Sequence, residues 1–154
     1  MSGTRLPILP TVTADALGLG LQFVRAASGA DRCSLVVKRS DGGSDLYGLD
    51  EAGAERRRLS IVPAQLFEHF DAHAAAELHR DLAASSFESD RSLARKGFAE
   101  VIRAPLRDAH GRTIGILNVI RRVARATEEE RAFVETFAGA LGAYLAAGER
   151  AGGA

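Results

Sequence analysis

Apolar positions change period along the chain, and each change marks an element. Leu17, Leu21 and Val24 recur at helical spacing, so a helix is expected over 14–28. Thr13 or Asp15 can cap its start, and Gly29 suits a left-handed stop. Cys33, Leu35 and Val37 then alternate with Ser34, Val36 and Lys38, the period of a half-buried strand. Asp41-Gly42-Gly43 is a turn, and a second strand follows over 44–49. A loop over 50–55 and a short strand over 57–62 lead to Pro63, which fits a first helical turn. Leu66, Phe67, Phe70, Ala74, Leu78 and Leu82 keep helical spacing, predicting one helix or two short ones. Residues 84–97 carry no apolar period and read as a long loop, a feature that tends to be functional.

The last third is the clearest. Ile102, Ala104 and Leu106 alternate with Val101, Arg103 and Pro105 over a strand at 100–107. Pro105 lacks an N–H and belongs at an edge or bulge. A turn over 108–112 leads to Ile114–Ile120, whose nearly unbroken apolar run predicts a central strand buried on both faces. Thr127-Glu128-Glu129-Glu130 reads as a capping box. Phe133, Phe137, Leu141 and Leu145 repeat every four residues behind it, and Gly148, Gly152 and Gly153 are expected to end that helix.

Composition narrows the function. The chain has 154 residues, the size of one domain. Lys plus Arg and Asp plus Glu number 20 each, so the formal net charge is zero. That argues against a general electrostatic role on nucleic acid or an acidic membrane. The positive charge is nearly all Arg, with Lys38 and Lys96 the two lysines. Cys33 is the one cysteine, which excludes an intrachain disulfide and suits a reducing cytoplasm. No stretch approaches the roughly 20 apolar residues of a membrane helix, and no secretion signal is visible at the start.

Gly97-Phe98, the strand Ile102-Arg103-Ala104-Pro105-Leu106, the turn at Gly111 and the strand Ile114-Gly115-Ile116-Leu117-Asn118-Val119 resemble the GAF family. So do the acidic helix start at Thr127–Glu130 and the Phe/Leu stripe behind it. The resemblance covers about residues 14–148, with 1–13 a flexible arm and 149–154 a flexible tail. It implies an α+β, PAS-related fold: a central antiparallel sheet with the N- and C-terminal helices on one face and a ligand pocket on the other, between the sheet and residues 63–98. It also implies a small-molecule sensor that signals through a homodimer of the terminal helices or through a partner protein. A ligand-free dimerisation or scaffold module is the alternative, its pocket filled by side chains such as Phe70, Phe87 and Phe98. Any output acts in trans, or lies on chain beyond this sequence.

The subtype signatures of the family are missing. Neither lysine follows an Asn, as cyclic-nucleotide members require; Cys33 is followed by Ser34 rather than by the His common in bilin attachment; and one cysteine cannot form the disulfide of a methionine sulfoxide reductase. No Gly-x-Ser-x-Gly or phosphate-binding loop motif appears, so no enzyme is expected. His69, His73 and His79 fall short of a metal set and read as a solvated helix face, and Arg56-Arg57-Arg58 reads as a solvated strand start. The cofactor is left open. The candidate pocket residues are Cys33, Phe70, Phe98, Arg103 and Asn118. A buried core role for Cys33 is the competing reading, Arg103 faces either the pocket or outward, and Asn118 needs a partner if it is buried.

Overall fold

The computed structural model describes residues 5–153, with side-chain surroundings for 15–148. The first four residues of the expected arm lie outside the described residues. The elements run α1 (Arg5–Ser28), β1 (Arg32–Lys38), β2 (Ser44–Asp50), β3 (Gly53–Leu59), α2 (Ala64–Ala72), β4 (Glu77–His79), a 3-10 turn (Leu82–Ala84), α3 (Glu88–Arg95), β5 (Glu100–Arg107), β6 (Thr113–Arg121) and α4 (Glu128–Gly153). The six strands form one antiparallel sheet in the order β3-β2-β1-β6-β5-β4.

Strand alternation assigns each face. Cys33 and Leu35 of β1, Ile102, Ala104 and Leu106 of β5, and Leu117 and Val119 of β6 share one core with Leu17, Leu21 and Val24 of α1 and Val134, Ala138 and Leu145 of α4. The apolar stripes read from sequence therefore bury the two end helices against one face, as the α+β reading expected. Gly29 adopts φ +65 and returns its N–H to the Arg25 carbonyl at 2.9 Å, ending α1. Thr127 Oγ1 accepts the Glu130 N–H at 3.2 Å. The Glu130 carboxylate turns to Arg121 instead of closing the capping box.

The opposite face carries α2 and α3 over two smaller clusters. Leu66, Phe67 and Phe70 pack on Ile116, and Leu82 packs with Val101 and Ile120. β5 and β6 are thus covered on both faces, which explains the apolar run of 114–120.

Several boundaries differ from the sequence reading. α1 begins at Arg5, inside the stretch read as an arm, and α4 continues through Gly148 to Gly153. β3 starts at Gly53, because Glu51-Ala52 closes a tight hairpin with the Asp50 carboxylate accepting the Ala52 N–H at 2.8 Å. Residues 77–79 form an edge strand where helix was expected. The helix stops at Ala72 and its C-cap His73 is extended, so the helical spacing of Leu78 and Leu82 is coincidental. The expected loop contains α3, a helix whose cohesion is charged: Glu88 and Asp90 sit in its first turn and Arg95 in its last, the order the helix dipole favours. Pro105 lies beyond Val101–Arg103, where β4 pairs, so its missing N–H interrupts no outer ladder.

At Gly142 the α4 backbone meets β5 directly: a Cβ there would lie 2.8 Å from both the N and O of Arg107. Gly20 of α1 has ordinary room, with its nearest neighbours Leu141 and Phe137 at 3.5 Å. Gly142→Ala is expected to destabilise the fold by about 1–3 kcal/mol through overpacking, and Gly20→Ala to leave it within about 0.5 kcal/mol. Urea unfolding of both variants checks this; equal midpoints would contradict the close approach.

Candidate functional site

The sheet's second face bears a polar row that only strand register reveals. Ser34, Asn118, Arg103 and Glu77 lie opposite one another on β1, β6, β5 and β4. Their neighbours on each strand point to the helix pair, so this row points under α2 and α3. Asn118 Nδ2 donates to Ser34 Oγ at 3.1 Å, and Arg103 Nε donates to Asn118 Oδ1 at 3.0 Å. A guanidinium only donates, which fixes the Asn118 oxygen toward Arg103.

Arg103 is 2% exposed, and its Nη1 donates to the carboxylate of Asp90 on α3, itself 1% exposed. Asp90 also accepts from Ser85 Oγ at 2.6 Å and from His79 Nδ1 at 3.0 Å. The other His79 nitrogen reaches Glu77 at 2.8 Å, and Glu77 meets His69 Nε2 at 2.8 Å. One hydrogen-bonded chain therefore crosses the face from β1 to α2.

Charge states follow from these contacts. Both His79 nitrogens face carboxylates, and its pKa is raised, chiefly by the Asp90 hydrogen bond, with burial opposing. Burial pushes Asp90 up, but hydrogen bonds and the Arg103 charge outweigh it and hold the carboxylate well below its usual range. Glu77 behaves alike: burial raises it, and His69 and His79 bring it below its ordinary value. Burial lowers Arg103, with Asp90 opposing.

A cavity of about 390 Å³ lies between this face and α3. Ser34, Val36, Arg103, Asn118 and Ile120 form its floor. Leu46, Leu59, Pro63 and Leu66 wall it, and Glu88, Ser89, Ser92, Leu93 and Lys96 cover it.

Of the five candidates, Arg103 and Asn118 border this cavity together, and both face inward. Phe70 is fully buried beside it, in the cluster under α2, and Phe98 packs in the cluster with Leu82 beneath the Arg122 guanidinium, 4.4 Å from its ring centre. Cys33 stands corrected as a pocket residue: it lies on the opposite face, in the helix-side core, because strand parity sends it with Leu35 rather than with Ser34. Burial pushes its thiol up to about 12. Sequence reasoning missed Ser34, Asp90 and Glu77 as site residues and set His79 aside as part of a solvated helix face, whereas it lies on the edge strand β4 between Glu77 and Asp90. The one available signal was that Ser34 has the opposite parity to Cys33. Arg56, Arg57 and Arg58 lie on the exposed edge strand, where Arg58 pairs with Asp41 at 3.1 Å, as a solvated strand requires.

Known proteins share this fold. The GAF domain family model covers residues 14–145. No curated protein matches the chain. Among solved structures, the GAF domain of a phosphoenolpyruvate-protein phosphotransferase from Coxiella burnetii superposes with TM-score 0.68 at 22% identity, over 99% of this chain and 96% of that one. The chromophore-binding domain of a bacteriophytochrome from R. palustris gives 0.71 at 14% identity, over 97% of this chain and 61% of that one. The GAF domain of a two-component sensor histidine kinase from Bacillus halodurans gives 0.57 at 17%, over 93% and 92%. At these identities the likeness is one of fold.

Two outcomes follow. Arg103→Met leaves Asp90 without its cation and is expected to cost about 3 kcal/mol in urea unfolding; an unchanged midpoint would mean the pair does not hold α3. His79, raised above its ordinary 6.5, contributes stability that is fully present below that value and fades as pH climbs through its higher folded value. Glu77 and Asp90, both lowered, contribute above their ordinary values and fade as pH falls. The melting temperature should therefore fall as pH rises above the ordinary histidine value of 6.5, and His79→Gln should flatten that fall. Parallel profiles for the two proteins would contradict the assignment.

Proposed function

The chain belongs to the GAF domain family, a family of sensory and signalling domains, and on that premise we propose that it is a binding module whose ligand occupies the cavity between the sheet and α3. One observation carries this reading: two buried polar side chains, Arg103 and Asn118, border a space of about 390 Å³ that the neighbouring phenylalanines leave open. That volume falls within the range of small-molecule pockets. The role is binding rather than catalysis, in the cytoplasm, where the one buried thiol of this sequence stays reduced. Among the described residues no helix is long and apolar enough to cross a membrane.

The signal leaves through the end helices. Cavity-facing residues of β5 and β6 alternate with residues that pack under α4, so the two strands touch both. A second route runs from Glu77 to Ala76, whose N–H is held by Glu135 at 2.6 Å and whose carbonyl is held by Arg131 at 3.0 Å, both from α4. Leu19 and Phe23 of α1 are 65% and 54% exposed, and Phe23 stacks on Phe137 of α4 at 5.6 Å. This apolar strip supports pairing with a second copy or a partner protein. A ligand shifts that pairing only by binding one arrangement more tightly than the other.

Native mass spectrometry of freshly purified protein, beside the same sample denatured, is the test. The expected result is a native mass above one or two chain masses by a small molecule that the denatured sample loses. Bare masses would favour the ligand-free scaffold.

A further inference from the structure

Resting on the reading of that cavity as a ligand site, we infer that its ligand is a small monocarboxylate with an apolar body. The polar groups on the cavity floor have donors to spare, while the Ser34 and Asn118 oxygens each already accept one hydrogen bond. Arg103 uses Nε on Asn118 and Nη1 on Asp90, and among the described residues its Nη2 makes no hydrogen bond. Arg103 is 2% exposed and borders the cavity, so a molecule inside is what Nη2 can meet. Asn118 has its oxygen engaged by Arg103 and one N–H on Ser34, leaving its second N–H. Ser34 Oγ accepts from Asn118, and its own O–H proton has no acceptor among the described residues. Two N–H sources and a hydroxyl thus border the cavity without a protein acceptor, and an entering anion gains charge-assisted hydrogen bonds from them.

The charges around the cavity agree. Lys96 lines the mouth from the C-terminal end of α3 and forms no ion pair among the described residues. Glu88, the one carboxylate lining the cavity, already accepts from Arg91 at 3.0 Å and from Arg95 at 2.5 Å. Asp90 is taken by Arg103, His79 and Ser85. An entering cation would find no free carboxylate lining the cavity, and a neutral ligand would leave the Arg103 Nη2 edge without a charged partner. A planar carboxylate fits a guanidinium fork. The apolar lining gives the rest of the ligand: Val36, Leu46, Leu59, Leu66 and Ile120 suit an alkyl or aryl body.

The test uses the intact protein, labelled with nitrogen-15, titrated with benzoate, phenylacetate, 4-phenylbutyrate and hexanoate, each beside its carboxamide. Resonances of cavity-lining amides and of the Arg103 Nε–H are followed. The carboxylates are expected to bind at least about tenfold more tightly than the carboxamides and to move the Arg103 signal. Lys96→Gln, at an exposed position, should lower carboxylate affinity about threefold and leave the carboxamides unchanged. Ser92→Trp, which fills the cavity from α3, should abolish binding of both. Equal affinities for the two series, both lost in Ser92→Trp, would overturn the carboxylate and leave the cavity reading intact. If neither series moved any cavity resonance, both would fall.

Discussion

A guanidinium held out of water sets the terms for half of this domain. Arg103 stands on β5, a strand covered on both faces, and a buried cation survives only with a matching anion. Asp90 supplies it from α3. That helix offers little apolar surface of its own, mainly Leu93 and Ala94, so its seat on the sheet is fixed more by this pair than by a hydrophobic stripe. With α3 held there, the space beneath it acquires a roof. The chain from Asp90 through His79 and Glu77 to His69 then ties the edge strand and α2 to the same charge. On the other face the end helices bring apolar stripes to an apolar surface, and a second buried guanidinium, Arg121, pairs with Glu100 and reaches Glu130 of α4 and the Ser28 carbonyl of α1.

This division explains what could be read in advance. Leu17, Leu21 and Val24, the Phe133–Leu145 stripe and the alternation in β1 and β5 are periodic because apolar burial demands it, so the sheet and both end helices were legible. β4 has three residues and no room for a period. Ala74, Leu78 and Leu82 mimicked a helix that had already ended at Ala72. α3 is organised by Glu88, Asp90, Arg91 and Arg95, a pattern that apolar spacing does not register. Within the site, Arg103 and Asn118 stood out as polar residues inside apolar strands. Their partners did not, because register between β1, β6, β5 and β4 is a long-range property. Cys33 was misplaced by one position of strand parity, which exchanges the two faces of a sheet.

The preference for arginine over lysine also gains a meaning. Many arginines here reach main-chain carbonyls across loops: Arg39 to Leu59 at 2.9 Å, Arg80 to Ala126 at 2.9 Å, Arg91 to Ser85 at 2.7 Å, Arg125 to Gly29 at 3.1 Å and Arg131 to Ala76 at 3.0 Å. A forked donor can hold a carboxylate with one nitrogen and a carbonyl with another, as Arg131 does with Glu128 and Ala76. A single ammonium on a flexible stem does this poorly. The zero net charge therefore conceals a set of cross-links that fasten connections where no apolar contact is on hand.

The burial of Cys33 reaches beyond packing. Its sulfur sits between the sheet and the end helices, and a thiol held near 12 presents almost no thiolate at neutral pH. An alkylating reagent can modify it only while the helices stand away from the sheet. Because the sequence holds no other cysteine, the rate at which label accumulates reports that opening: its frequency where alkylation outpaces reclosing, and its equilibrium population where it does not.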